Sequence, residues 1–285
     1  SAAIPLTLRA LGGLSTREIA EALLQTEATI AQRISRAKAF ITQSAEPFRP
    51  PPPDLIDGRL PAVMQIISLI FNEGHAPTSG PRLTRADLAD EAIRLARLLH
   101  ARVEGQPETA GLLALLLLTD ARRPARTGPN GELVPLDEQD RGLWNRAMIT
   151  EGLRLLTDAF AHHALGNYQL RAAIAAVHDQ APTYELTDWS RLKALYDLLI
   201  QGEDNPLVRL NRAVVVAHTD GPATALGDID GLDVPLAEHH RYHATIAYLQ
   251  QMAGNSEAAR QAYATAAALA SNEPERRSLL RKAGS

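Results

Sequence analysis

Four consecutive prolines, Pro50 to Pro53, constrain this chain more than any other feature. Proline fixes φ and has no amide hydrogen to donate, so the run cannot continue a helix and tends to a stiff extended form. The polar, proline-rich stretch around it, Glu46 to Pro53, reads as a linker that divides the chain. Two or three short helices are expected before it. After it, helical periodicity returns near Leu60 and persists almost to the end. The expected segments are residues 1–45, a linker at 46–59, a helical region at 60–165 and helical repeats at 166–285.

Composition points the same way. Apolar residues make up 45% of the 285 and aromatics only 4%, so the core must be built mainly from Leu, Ala, Ile and Val. Ala and Leu lose little side-chain entropy in a helix, and an all-α fold is expected. The absence of cysteine excludes disulfides and cysteine-ligated zinc or iron–sulfur sites, and fits a cytoplasmic setting. The longest apolar run, Leu112 to Leu118, is far too short to span a bilayer, so no membrane partner is expected. No secretion leader is expected at the start, and Ser1 reads as a processed or cloned boundary. Residues 1–49 hold six Lys/Arg and four Asp/Glu, a balance of +2, whereas the remainder holds 23 basic and 29 acidic residues, a balance of −6. A nucleic-acid partner therefore belongs to the first segment.

In the second region, helices are expected at Leu60–Asn72, Arg85–Ala101, Glu108–Asp120, Gln139–His162, Tyr168–Gln180 and Trp189–Ile200. The series continues with Pro206–His218, Pro222–Asp228, Glu238–Met252, Ser256–Ala270 and Pro274–Lys282. Asn205-Pro206 and Gly221-Pro222 place proline in a first helical turn. Between Thr127 and Glu132, Asn130-Gly131 suits a tight turn and a two-stranded ribbon. Near the end a repeat emerges. Ala213 and Ala225 lie 12 apart, as do Ala247 and Ala259, and the two pairs are offset by 34 residues, the TPR period. Small residues are needed where the helices of a hairpin approach closely. The expected architecture is thus a helix-turn-helix segment followed by a helical-hairpin array, ending as a TPR-like right-handed solenoid.

Residues 6–41 carry the clearest functional pattern. Gly12-Gly13 breaks a first helix, and Ser15 through Glu18 has the spacing of a capping box that starts the next. Ile19, Ala20 and Leu23 give that helix a buried face. Thr26 is placed to cap a third helix, whose apolar stripe is Ile30, Ile34, Ala37 and Ile41. The other side shows Thr29, Gln32 and Arg36, with Arg33 flanking. This is the helix-turn-helix arrangement, in which the second helix lies in the major groove. Gln pairs with adenine and Arg with guanine in two-point fashion, while Lys38 is better placed for phosphate. The candidate DNA-binding residues are therefore Thr29, Gln32, Arg33, Arg36 and Lys38. A capped helix pair with polar residues outside also occurs in proteins that never touch DNA.

The stretch Leu8 to Ser15 (LRALGGLS), together with Glu18-Ile19-Ala20 and Arg33 to Lys38 (RISRAK), resembles region four of extracytoplasmic-function sigma factors. The remainder resembles the extension of one group of them, which carries a large TPR-like C-terminal domain. The matching stretches include Leu69 to Gly74, Glu91 to Leu98, Asp120 to Arg126, Asp137 to Arg141, Tyr168 to Leu170, Ala172 to His178, Asp188-Trp189 and Leu210 to Val214. The resemblance implies that region four reads the upstream (minus-thirty-five) promoter element and touches core RNA polymerase. It also implies that the C-terminal domain regulates through protein contacts, with a protein regulator as a further partner. The family's region two and the first part of region four are not found here: at this length the chain would not melt a promoter alone, and as a fragment it would belong to a full protein that is the working sigma factor. Leu24 sits where many helix-turn-helix turns carry glycine.

Other constellations point to structure rather than chemistry. His239 and His243 sit four apart, a spacing used by metal ligands, but a third ligand at recognisable spacing is lacking. His162-His163 suits a helix C-terminus. Asn72-Glu73-Gly74-His75 closes an apolar helix, with Gly74 as its expected stop. The charged run from Asp120 through Arg141 has near-balanced signs and is expected to form an ion-pair network bracing the ribbon, or a contact surface. No phosphate loop, nucleophile elbow or catalytic triad is found, so no enzymatic role, cofactor or metal is expected. The rival readings are a helix-turn-helix regulator with a helical sensing domain, a TPR-like scaffold without DNA binding, and a helical metalloenzyme using His239 and His243.

Overall fold

The computed structural model describes residues 3–44, 52, 55–103, 105–162 and 165–284. Among the described residues the fold is all-α, with fifteen α-helices and only two isolated β-bridges. The expected linker lies largely outside the described residues, as does His163.

The chain forms two compact units, residues 1–78 with 84–102 and residues 79–83 with 103–285. The first unit holds α1 (Ala3–Ala10), α2 (Thr16–Ala22), α3 (Glu27–Gln43), α4 (Ile56–His75) and α5 (Ala86–Arg102). Its make-up differs from the division expected at the proline run. The physical reason is the apolar face of α4, where Leu60, Met64, Ile67, Ile70 and Phe71 are buried. That face needs a partner, and α4 packs on α1 as well as on α5. Between α4 and α5 the helices nearly touch. A Cβ added at Gly74 would lie 2.4 Å from the Ala89 amide nitrogen. Gly74 is therefore a close-approach residue inside α4 and not its stop, since the helix runs on through His75 with Ala76 as C-cap.

The second unit holds α6 (Pro107–Asp120), α7 (Arg146–Phe160), α8 (Asn167–Gln180), α9 (Trp189–Gly202) and α10 (Pro206–Thr219). It continues through α11 (Pro222–Asp228), α12 (Asp233–Leu236), α13 (His240–Met252), α14 (Ser256–Leu269) and α15 (Glu273–Gly284). Its first core comes from α6, which is apolar all round and packs against both α7 and α8. Further along, α10 packs on α11 and α13 on α14. Ala213, Ala225, Ala247 and Ala259 are all buried, as close helix approach requires.

One expected helix is wrong at its start. Residues 139–145, expected to open a helix from Gln139 to His162, instead hold a short 3-10 turn, Arg141–Leu143, which follows another at Leu136–Glu138. The Asp140 carboxylate accepts from the Gly142 amide at 2.8 Å, a local bond that competes with helix formation. Asn145 then caps α7 by accepting from the Met148 amide at 3.2 Å. The expected ribbon is a tight turn with a single bridge, Thr127 to Leu133, closed by Val134 N–H on the Arg126 carbonyl at 2.9 Å.

Candidate nucleic-acid interface

The helix pair α2–α3 is set by local chemistry. The Ser15 hydroxyl accepts from the Glu18 amide at 3.2 Å, and the Ser15 amide donates to Glu18 Oε2 at 2.6 Å, which completes the capping box. The Thr26 hydroxyl accepts from the Thr29 amide at 3.3 Å and starts α3. Between the two helices Leu24 takes φ = +50°, the only positive φ outside glycine among the described residues. This is the position at which glycine is common, and a leucine there is strained.

Ile30 and Ile34 are buried under α3, as the stripe requires, and Ala37 is half-buried. Ile41 is 43% exposed, although the spacing places it on the same face. The cause is length: α3 has 17 residues against 8 in α1 and 7 in α2, so its last turns outrun the helices that cover it. Phe40, beside it, is 73% exposed, outside the apolar stripe of α3.

The polar candidates fall into three groups. Gln32 and Arg36 are exposed on the side of α3 opposite Ile30 and Ile34. Thr29 and Arg33 are engaged locally, Thr29 through its hydroxyl with Thr26 at 2.9 Å and Arg33 by donating to Gln25 Oε1 at 3.0 Å. Arg33 is thereby drawn toward the turn. Lys38 is exposed but lies two residues past Arg36, about 200° round the helix, on a flank of its own.

Behind the pair sits a charged cluster that no local pattern announces. Glu18, while capping α2, also receives Arg85 Nη1 on Oε1 at 3.3 Å. The same Arg85 nitrogen lies 3.8 Å from Glu73 Oε1. Glu73 is buried at the end of α4 and accepts from both the amide and the hydroxyl of Thr78. Burial, the largest effect, pushes its carboxyl up to about 7, with the Glu18 charge adding to it and Thr78 and Arg85 opposing. Because the folded value lies above the unfolded one, the unfolded chain sheds this proton first as pH rises. Stability should therefore fall between about pH 4.5 and pH 7 and level off above, by ~1–3 kcal/mol. Glu73→Gln should flatten this slope and raise the melting temperature at pH 8 relative to the parent chain. Equal pH dependence of parent and variant in urea titrations would contradict the assignment.

His239 and His243 are committed elsewhere. His239 is the N-cap of α13, its Nδ1 accepting from the Arg241 amide at 3.3 Å, and burial lowers it to about 4. His243 Nε2 lies 2.8 Å from the Ala237 carbonyl oxygen. No group of three or more potential metal ligands occurs among the described residues. In the charged run, Arg123 pairs with Asp120 at 3.1 Å, while Arg122 reaches outside it to Asp179 at 3.5 Å.

Residues 3–41 match the family described as Sigma-70, region 4. The N-terminal segment is sigma-factor-like. The match covers the whole of α1 and α2 and nearly all of α3, so the exposed polar side of α3 belongs to a region-four segment. Residues 59–160 match a family of unknown function, DUF6596. An uncharacterized protein of Rhizobium meliloti (strain 1021) is 45% identical over 274 residues, 95% of this chain. The chain spans 64% of that relative's length. No solved structure matches the chain. None of the helices among the described residues is long and apolar enough to cross a membrane.

Proposed function

We propose that this chain is part of an RNA polymerase sigma factor and acts in transcription initiation. Its region-four segment reads the upstream promoter element and touches core polymerase. The observation that carries this reading is the region-four match over residues that fold into a capped helix pair with Gln32 and Arg36 exposed. The chain does no chemistry of its own and works in the cytoplasm without a cofactor. Its C-terminal helix pairs are TPR-like, a reading supported by the buried alanine pairs of α10–α11 and α13–α14, and regulate initiation through contacts with protein.

Two experiments test the reading. Run-off transcription with core polymerase and the complete protein should start at a specific promoter, and promoter-independent or absent initiation would refute it. In binding titrations, Gln32→Ala and Arg36→Ala should each cost ~1–3 kcal/mol of discrimination at one base position. Lys38→Ala should weaken all sequences alike and flatten the salt dependence. Unchanged discrimination in both Gln32 and Arg36 variants would remove this face of α3 from the interface.

A further inference from the structure

Arg85 stands at the join of two helices and reaches a third. Its amide donates to the Gly74 carbonyl at 2.7 Å, and its own carbonyl accepts from the Leu88 and Ala89 amides at 3.0 and 3.2 Å. The backbone of Arg85 is thus fixed between the end of α4 and the start of α5, beside the close approach of Gly74 to Ala89. From this fixed base its guanidinium extends to Glu18 of α2. Glu18 divides its two oxygens: Oε2 takes the Ser15 amide in the capping box, and Oε1 takes Arg85. Helix α2 packs on α1 and α3, and the ion pair adds a tie to α4 and α5.

We propose that Arg85 is a positioning residue for DNA reading, a strut that fixes α2, and with it the polar side of α3, to the α4–α5 pair, with Glu73 competing for it. Arg85 lies in the stretch that matches a family of unknown function, outside the region-four match, so the proposal gives that stretch a part in reading DNA. It rests on the promoter-reading role proposed for region four.

The geometry makes the strut adjustable. The Arg85 nitrogen that bonds Glu18 lies 3.8 Å from Glu73 Oε1, too far for a hydrogen bond and near enough for charge to act. With Glu73 neutral, Arg85 belongs to Glu18. Ionised Glu73 draws the guanidinium toward itself and repels the Glu18 carboxylate, and both effects loosen α2. Burial keeps Glu73 largely neutral up to about pH 7, so the strut is tight below that pH and slack above it. The charges acting on Glu73 are those of Glu18 and Arg85. Around it, α1 offers only Arg9, which donates to the Leu14 carbonyl at 3.1 Å, and Asp87 and Asp90 of α5 are exposed. His75 follows it on α4, stacked on Phe71. A helix-turn-helix is sensitive to such slack, because its first helix crosses the DNA backbone while its second makes two-point base contacts in the groove. Such contacts need supports that are themselves locked.

The test uses the full chain and a fluorescein-labelled duplex bearing the sequence that the parent chain enriches from a randomised library. Arg85→Ala and Glu18→Gln should each weaken binding about fivefold at pH 6, and the double variant no further, since both remove one strut. Glutamine at position 18 keeps the capping box, so the strut alone is lost. Parent binding should weaken about threefold from pH 6 to pH 8, and Glu73→Gln should hold the tighter value throughout. His75 is present in both chains and does not account for the difference. Hydrogen exchange of the α2 amides, measured without DNA, judges the strut by itself: Arg85→Ala should speed it about fivefold. Thermal melts establish that each variant stays folded. Unchanged α2 exchange, additive losses in the double variant, or a pH profile that Glu73→Gln leaves intact would each overturn the strut. A parent chain that enriches no sequence, while α2 exchange still responds to Arg85→Ala, would instead refute promoter reading by region four, and with it the strut's service to DNA.

Discussion

Gly74→Ala should destabilise the first unit by ~3 kcal/mol, because the added methyl meets backbone rather than side chain. Its carbon would lie 2.4 Å from the Ala89 nitrogen, 2.9 Å from the Ala89 Cα and 3.0 Å from the Leu88 carbonyl carbon. Backbone in a helix cannot rotate out of the way, so α5 must shift bodily and give up packing along its length. Gly58→Ala, in the same helix with nothing within 4 Å of its added carbon, is the control. It should be neutral or stabilise by ~0.5–1 kcal/mol, the helix-propensity difference. Urea unfolding followed by circular dichroism distinguishes the two. Similar midpoints for the Gly74 and Gly58 variants would show that α4 and α5 do not approach as described.

Arg141→Ala is the second substitution with a large expected effect, ~2–4 kcal/mol in the second unit. Arg141 Nη1 donates to the carbonyls of His178 at 2.6 Å and Ala181 at 2.8 Å, at the C-terminal end of α8. Helix ends leave carbonyls without partners, and a guanidinium there supplies charge-assisted bonds and complements the helix dipole. The same group lies 4.4 Å from the ring of the buried Trp144. Removing it leaves two acceptors under-satisfied and uncovers the indole. Arg141→Lys should recover part of the loss, since one ammonium can donate to both carbonyls as the single Nη1 does but cannot lie flat over the indole. Denaturation monitored by tryptophan fluorescence checks this, and full stability in the lysine variant would contradict the role given to the guanidinium face on Trp144.

The residues that were legible in sequence are those whose partners lie within one helical turn. Ser15 and Glu18 announce a capping box at a separation of three, and Ile30 and Ile34 announce a buried stripe at a separation of four. Asn205-Pro206 announces the first turn of α10, and Asn205 caps it. The polar face of α3 was legible too, because burial of the opposite face leaves it no other direction. What the spacing did not reveal depends on distant partners. Arg85 lies 67 residues from Glu18, and nothing near either residue marks the pairing. Gly74 resembles a helix stop until the position of Ala89 is known. Ile41 keeps the period of a buried stripe, yet the helices that would cover it are too short. The turn at Arg141–Leu143 falls inside the helix expected from Gln139, because Asp140 bonds locally to Gly142 and the helix waits for its cap at Asn145.

The packing of α4 on α1 also bears on how such chains are recombined. Exchanging the region-four segment would tempt an engineer, or a crossover event, to break at the proline run. A hybrid joined there would pair α1 of one parent with α4 of another, and Gly12, whose added Cβ would lie 3.1 Å from Ile70, leaves no slack for a mismatched side chain. A junction near residue 103, where the first compact unit ends, keeps that fit within a single lineage. The block that keeps α1 with α4 is therefore about a hundred residues, more than twice the length of the region-four match within it, and it carries along residues 79–83, which belong to the second unit and bond through Gly80 to Ser271 and Glu273.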